Sequence, residues 1–252
     1  MNYGPASKYY DLFASEDDIG FYRELAIKHG RKALELGVGT GRVAIELSKA
    51  KVKVWGIDSS TYMLNAARQK LRKESASVRK RVVLKLGDMR SFKLKETFPF
   101  VYIASSTFEH CITKEDQKNC LTTVYDTLDN QGTLAFDISQ PKRDQPINSW
   151  WIDRKALNKN EEVVRTIFSR RNPQTNLVSL NLFFDVYNRG ELKRRYYEYG
   201  EALLSSKHDI EAMLKNVGFK LKEVYGNFDK SAYNKTSEKA VFIVAKPLES
   251  LS

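Results

Sequence analysis

The chain has too few cysteines to build a disulfide framework. Its 252 residues include only Cys111 and Cys120, whose spacing is unlike that of zinc ligands, so we expect free thiols and no metal site. It also lacks any apolar run near the roughly 18 residues that a membrane-spanning helix needs. Residues 1–8 lack the apolar core of a secretory signal. These absences predict a cytoplasmic protein with no membrane partner.

The length and the charge of the chain admit more than one kind of protein. A chain of 252 residues can bury a sizeable core, as one large α/β domain or as two smaller ones. Its net charge of +11 fits contact with nucleic acid or with an acidic partner. The same charge fits a lysine-rich surface exposed to solvent, which is the preferred interpretation.

Apolar runs alternate with helical patterns over the first 140 residues. Residues 6–29 show helical spacing with an acidic break at 15–18, and further helices are predicted at 41–50, from the capping residues Ser59 and Ser60 through Leu71, and at 114–128. The predicted strands are 33–36, 52–58, 82–86, 100–104 and 132–138. Strands that are apolar throughout and are each followed by a helix indicate a parallel sheet covered on both faces.

The pattern changes at residue 141 and returns near residue 201. Residues 163–170, 177–187 and 191–199 are β-rich and are separated by turn-forming clusters, which predicts an inserted antiparallel flap over 141–200. A helix through Val217 and strands at 219–225 and 240–245 follow. Because the link between these two strands has no helical period, we expect them to pair antiparallel. Residues 1–140 and 201–252 would then form one domain.

A glycine-rich turn joins the first strand to the next helix. It reads Glu35-Leu-Gly-Val-Gly-Thr-Gly41, and Gly37 and Gly39 can adopt positive φ and carry no Cβ, so a ligand can lie directly on the main chain. A dinucleotide-binding turn would place its third glycine where Arg42 stands, and solvation of the Arg42 side chain is one open interpretation. This spacing, with an acid at Glu35, resembles motif I of class I S-adenosylmethionine-dependent methyltransferases.

The resemblance implies a fold, a cofactor and part of a site. The fold is a three-layer α/β sandwich with a mostly parallel seven-stranded sheet, whose last strand is antiparallel. The cofactor is S-adenosyl-L-methionine, with Glu35 serving its charged amino-acid moiety and the loop amides at Gly37 and Gly39 binding its carboxylate. Tyr9-Tyr-Asp11 resembles the Tyr-Asp pair of an N-terminal helix that closes over the cofactor, which implies that Tyr10 touches the methionine end.

Two later strand ends complete the predicted cofactor site. Asp58 lies 21 positions after Gly37, where an acid can accept both hydroxyls of a ribose in any nucleoside cofactor, although it can also serve as a helix cap. The resemblance assigns Asp88 to the adenine amino group, Met89 to packing on the ring and Met63 to its other face. The neighbouring Ser59, and Ser105 through its backbone after the fourth strand, are the remaining predicted contacts.

The methyl acceptor is expected beyond the carboxyl ends of the strands, in the segment 105–110. His110 and Glu109 are the candidates for a base or an acceptor-orienting group, each with a structural alternative as a cap or a packed side chain. Asp137 either binds a cationic acceptor or caps a loop. The flap is expected to roof the acceptor pocket, and its aromatic side chains either face that pocket or pack the flap onto the sheet; they are Trp150, Trp151, Tyr196, Tyr197 and Tyr199.

The residues favour one function and leave others open. A methyltransferase acting on an N or O atom of a small molecule fits the order of the motifs and the aromatic flap. An RNA or protein methyltransferase fits the net positive charge of the chain and the arginine and lysine residues of the flap. A nonenzymatic S-adenosylmethionine-binding protein is a third hypothesis. An NAD-dependent oxidoreductase is disfavoured, because the third glycine is displaced and no Tyr-x-x-x-Lys set is present in context. The oligomeric state is left open.

Overall fold

The computed structural model describes residues 3–140 and 147–248. Helices and strands mostly alternate over residues 19–139, although two strands there follow each other without a helix, and strands predominate after residue 139. In chain order the elements are a 3-10 helix at Pro5–Phe13, α1 (Ile19–Lys28), β1 (Lys32–Leu36), α2 (Arg42–Lys49), β2 (Lys53–Asp58), α3 (Thr61–Arg72), α4 (Ala76–Arg79), β3 (Val82–Leu86), β4 (Phe98–Ile103), a 3-10 turn at Thr107–His110, α5 (Lys114–Thr127), β5 (Leu128–Ser139), β6 (Asn148–Ala156), β7 (Glu161–Arg171), β8 (Leu177–Asn188), β9 (Glu191–Leu203), α6 (Lys207–Val217), β10 (Lys220–Tyr225) and β11 (Lys239–Ala245).

Seven strands form the central sheet, in the order β10-β11-β5-β4-β1-β2-β3. The neighbours from β5 to β3 run parallel, whereas β11 is antiparallel to both β5 and β10. No α-helix lies in the link between β10 and β11, so the chain reverses instead of crossing over. The predicted fold class, with its antiparallel last strand, is confirmed.

Apolar side chains cover both faces of this sheet. On one face, Leu34 and Leu36 of β1 belong to a buried cluster with residues of α5 and α6 such as Leu121 and Ile210. On the other face, Ala33 belongs to a cluster with residues of α1 and α2. Alternate residues of one buried strand therefore serve two layers of helices, which gives the three-layer sandwich.

The inserted flap is a separate antiparallel sheet of four strands, β6-β7-β8-β9. The expectation of about three strands was wrong because β6 is an edge strand whose residues are mostly exposed, so it lacks an alternating apolar pattern. Strand β9 continues to Leu203 and so crosses the expected boundary at residue 200. Residues 141–146 of the expected flap lie outside the described residues.

The N-terminal helical pattern folds as a 3-10 helix followed by α1. We call residues 3–13 the lid segment. A 3-10 helix aligns every third residue, and Ala6, Tyr9 and Leu12 all pack against the flap core of Val163, Ile167, Leu182, Phe184 and Val186. The side chains that repeat every three residues therefore lie on one side of the lid segment and pack it against the flap.

Both cysteines are free and buried. Among the described residues, no helix is long and apolar enough to cross a membrane.

Candidate active site

A cleft opens at the carboxyl ends of the parallel strands, beside the glycine-rich turn. It holds about 940 Å³ of space free of protein atoms, its open mouth included. Ten predicted cofactor residues and one predicted catalytic residue line this cleft: Tyr10, Glu35, Gly37, Gly39, Asp58, Ser59, Met63, Asp88, Met89, Ser105 and His110. The sequence did not single out Tyr3, Thr40, Arg42 or Thr107 as cleft residues, and these line it as well.

The turn after β1 requires glycine for two separate reasons. Gly37 and Gly39 have φ of 69° and 54°, in the left-handed region that favours glycine. A Cβ on Gly37 would also lie 2.2 Å from the Thr107 Cγ2 atom, far inside van der Waals contact. Gly37 therefore leaves the main chain of the turn uncovered and fits closely against Thr107.

Asp58 connects the glycine-rich turn to the start of α3. Its Oδ2 accepts a hydrogen bond from the Gly39 N–H at 2.8 Å, and its Oδ1 accepts one from the Ser60 N–H, also at 2.8 Å. Burial raises the pKa of this carboxyl, while the two backbone bonds oppose the rise. A carboxylate offers about four acceptor positions, so two remain for a ligand in the cleft.

Glu35 is a buried carboxyl beneath the same turn. Its Oε2 accepts a hydrogen bond from the Tyr102 hydroxyl at 2.8 Å. Burial raises the pKa of Glu35 to about 8, more than this bond lowers it. The Glu35 carboxyl therefore binds a proton at neutral pH.

Asp88 lies on the opposite wall of the cleft, at the end of β3. The Arg90 Nε donates to the Asp88 Oδ1 at 2.9 Å and to its Oδ2 at 3.1 Å, and Arg90 Nη2 donates to Oδ2 at 2.6 Å. These bonds lower the pKa of Asp88, so the carboxylate stays charged. Met63 and Met89 provide apolar surface in the same cleft.

The turn after β4 is strained and heavily braced. Ser105 and Ser106 have φ of 57° and 54°, and a non-glycine residue in this region costs about 1–3 kcal/mol. Asp137 at the end of β5 accepts hydrogen bonds from the Ser106 N–H at 3.1 Å and from its hydroxyl at 2.8 Å. It also pairs with Lys239 at 2.9 Å. Asp137 is therefore occupied by its own chain rather than open to a cationic acceptor.

Arg42 braces the same turn from the other side. Its Nη1 and Nη2 atoms each donate to Asp18 at 2.6 Å, and Nη2 also donates to the Ser105 hydroxyl at 2.8 Å. Both members of this ion pair are largely buried. The structure therefore rules out the interpretation that Arg42 is merely solvated. The sequence did not indicate this pair, because Asp18 lies 24 residues away and gives no local signal.

The two catalytic candidates lie on different sides of one 3-10 turn. His110 lines the cleft, and its Nδ1 lies 2.9 Å from the Glu201 carbonyl oxygen. Since a carbonyl can only accept, Nδ1 carries the hydrogen and Nε2 keeps a lone pair. Burial lowers the pKa of His110 to about 4, so the ring is neutral at pH 7.

Glu109 does not line the cleft. Its Oε1 accepts a hydrogen bond from the Ser139 N–H at 2.5 Å, beside the end of β5, and burial raises its pKa to about 7. The structure thus places His110 at the cleft, whereas Glu109 accepts a hydrogen bond from the end of β5.

The lid segment, and not the flap, covers the cleft. Tyr3 and Tyr10 line it and meet edge to face with ring centroids 5.3 Å apart. The Ser60 hydroxyl donates to the Tyr3 carbonyl at 2.7 Å, which ties the segment to α3. The aromatic side chains predicted for the flap roof do not line this cleft: Trp150, Trp151, Tyr197 and Tyr199 are exposed, while Tyr196 packs on Tyr9.

The flap instead holds the lid segment by its start. Glu198 of β9 is buried, and its carboxylate accepts hydrogen bonds from the Gly4 N–H at 2.9 Å and the Ala6 N–H at 3.2 Å. These are N–H groups that the start of a helix leaves without an internal partner. No sequence signal could have found this contact, because about 190 residues separate its partners.

Comparisons with known proteins agree with this geometry. Residues 33–132 match a family model described as a methyltransferase domain. YqeM of Bacillus subtilis (strain 168), which is named as a methyltransferase, is 28% identical over 246 residues, covering 96% of each chain.

Two solved structures share the fold over nearly the whole chain. The CcbJ methyltransferase of Streptomyces caelestis superposes with a TM-score of 0.81 at 21% identity, covering 96% of each chain. S-adenosylmethionine-bound CalS10 of Micromonospora echinaspora, an amino pentose methyltransferase, superposes with a TM-score of 0.73 at 18% identity, covering 98% of each chain.

The fold, the bare glycine-rich turn and these matches define a methyltransferase that uses S-adenosylmethionine. Residues 33–132 match a methyltransferase domain, and nearly the whole chain shares the fold of S-adenosylmethionine-dependent methyltransferases.

Proposed function

We propose that the protein transfers the methyl group of S-adenosylmethionine to an N or O atom of a small-molecule acceptor. The observation that carries this proposal is that the described residues lining the cleft offer no unpaired lysine or arginine. The one arginine among them, Arg42, is already paired with Asp18, and Asp88 is likewise paired with Arg90. Binding of a polyanion such as RNA needs unpaired cations, so this cleft suits a neutral or cationic acceptor better.

The enclosure of the cleft supports a small acceptor as well. Tyr3 and Tyr10 close it from above, and Asp11 of the same segment bonds to the Thr40 hydroxyl and to Lys70, each at 2.5 Å. A covered cleft excludes water and orients a compact molecule better than a polymer. The fold similarity to an amino pentose methyltransferase points in the same direction at the level of architecture.

The residues of the cleft suit S-adenosylmethionine in one orientation. The glycine-rich turn and Glu35 would hold the methionine end, and the two open acceptor positions of Asp58 would hold the ribose hydroxyls. Asp88, Met63 and Met89 would hold the adenine. The raised pKa of Glu35 fits this assignment, because a buried carboxyl that releases its proton to solvent when an ammonium binds beside it gains a charged partner.

Bound S-adenosylmethionine supplies an already activated methyl group, so the protein has to align the acceptor and exclude water. His110 is placed for the first task. Its Nδ1–H is fixed by the Glu201 carbonyl, which leaves the Nε2 lone pair to accept a hydrogen bond from an acceptor N–H or O–H. With a pKa near 4 it orients the acceptor more than it removes a proton.

An acceptor panel tests the proposal through formation of S-adenosylhomocysteine. The panel contains small amines, amino sugars and hydroxylated metabolites, with RNA and a protein mixture as the competing classes. We expect turnover with at least one small acceptor and none with the polymers. Turnover confined to RNA or protein would contradict the proposal.

A further inference from the structure

The flap sheet has a second face, turned away from the lid segment. The strand register places two neighbouring rows on this face, Trp150–Phe168–Asn181–Tyr199 and Ile152–Thr166–Phe183–Tyr197. We call these rows and the three that flank them the outer face. The opposite face of the same strands carries the buried cluster that packs on the lid segment.

The outer face exposes large apolar side chains side by side. Trp150 is 70% exposed, Ile152 58% and Tyr197 54%, and Phe168 and Tyr199 are also exposed. Single exposed apolar residues are ordinary on a protein surface, but a contiguous group on a flat sheet marks an interaction surface.

The flanking rows are charged, and their charges balance. They contain Arg154, Arg170 and Arg195 together with Glu162, Asp185 and Glu201. Two of the arginines are already paired, Arg195 with Asp185 at 2.6 Å and Arg154 with Glu162 at 3.4 Å. The face is therefore neutral in a chain whose net charge is +11.

This balance selects among the classes of partner. A nucleic acid needs unpaired cations, and the outer face offers as many carboxylates as arginines. Two copies of a chain with a charge of +11 repel each other. This repulsion is weakest when the surfaces that meet are neutral. An apolar centre with a charged rim of both signs is the usual anatomy of a protein interface.

We propose that the outer face is the contact between two copies of this chain, related by a two-fold axis. The two four-stranded sheets would pack face to face as a sandwich, which is the common way to bury such a surface. Four strands spaced about 4.8 Å apart over nine residues of about 3.4 Å each cover roughly 600 Å² per copy. Two copies then bury about 1,200 Å², the lower end of the range for a stable specific interface.

Sedimentation equilibrium of the purified full chain tests the proposal with a matched pair of variants. We expect the wild type to have twice the 29.0 kDa mass of one chain. Trp150→Asp with Ile152→Asp should raise the dissociation constant of the dimer at least about 100-fold, since each large apolar side chain is worth about tenfold or more. The control, Ile27→Asp with Leu221→Asp, changes two exposed apolar residues elsewhere and should leave the dimer intact.

A crosslinking measurement removes the risk that the variant merely misfolds. Thr166→Cys lies near the centre of the outer face and should form a disulfide-linked dimer under mild oxidation, whereas Ile27→Cys should not. A monomeric wild type at all concentrations, equal dimerisation of both aspartate variants, or crosslinking at Ile27→Cys alone would overturn the proposal. So would a monomer that binds RNA through Trp150 and Ile152.

Discussion

Replacing Gly37 with alanine should damage the glycine-rich turn through two effects that can be measured separately. The first is conformational, because φ is 69° at this residue and the left-handed region costs an L-residue about 1–2 kcal/mol. The second is steric, because the new Cβ would lie 2.2 Å from the Thr107 Cγ2 atom. Overpacking of this kind costs about 1–3 kcal/mol. Gly37→Ala should therefore lower the free energy of unfolding by about 2–5 kcal/mol.

A second substitution isolates the steric part. Thr107→Ser removes Cγ2, after which the nearest Thr107 atom to the new Cβ is its own Cβ at 3.2 Å. The double variant should therefore recover about 1–3 kcal/mol relative to Gly37→Ala alone. Gly30→Ala is the matched control, because Gly30 has φ of 87° and no atom within 4 Å of an added Cβ. It should lose only the conformational 1–2 kcal/mol or so.

Urea unfolding of the wild type and these variants gives the energies, and calorimetry with S-adenosylhomocysteine measures binding in parallel. Gly37→Ala should also weaken binding, whereas Gly30→Ala should not, because Gly30 does not line the cleft. The reasoning is refuted if Gly37→Ala and Gly30→Ala are equally stable. It is also refuted if Thr107→Ser restores nothing.

Three further outcomes are expected. Burial raises the pKa of Glu35 to about 8 in the folded protein, from about 4.5. The contribution of Glu35 to the free energy of unfolding is therefore fully present below about pH 4.5 and is lost as the pH rises through 8. Glu35→Gln should flatten this decline, measured by urea unfolding at a series of pH values. Glu198→Gln weakens the charge-assisted bonds to the lid segment, and should raise the KM for S-adenosylmethionine about tenfold with little change in overall stability. His110→Gln should lower kcat about 100-fold in steady-state assays while the affinity for S-adenosylhomocysteine, measured by calorimetry, stays the same. An unchanged kcat would remove His110 from the mechanism.

The parts of the fold that local sequence determines were predictable. Apolar runs and helix caps placed β1 to β5, and the positions of Gly37, Gly39 and Asp58 placed the cleft, because each signal lies within one strand and the turn that follows it. The antiparallel last strand followed from a link without a helix. These features need no knowledge of distant residues.

The parts that depend on distant partners were not predictable. Glu198 reaches the lid segment and Lys239 reaches Asp137 across more than 100 residues, so no spacing pattern reveals either contact. Glu109 and His110 are neighbours, and only the 3-10 geometry of their turn decides that the histidine lines the cleft. The flap aromatics looked like a roof because aromatic content alone does not tell which face of a sheet is covered.

A crystal structure of the protein with S-adenosylhomocysteine tests the central claim most directly. We expect the ribose hydroxyls to lie on Asp58, the amino-acid end on the main chain of Gly37 and Gly39, and the thioether sulfur on the side of the cleft that His110 lines. A ligand bound in the reverse orientation, or outside the cleft beneath Tyr3 and Tyr10, would contradict the account.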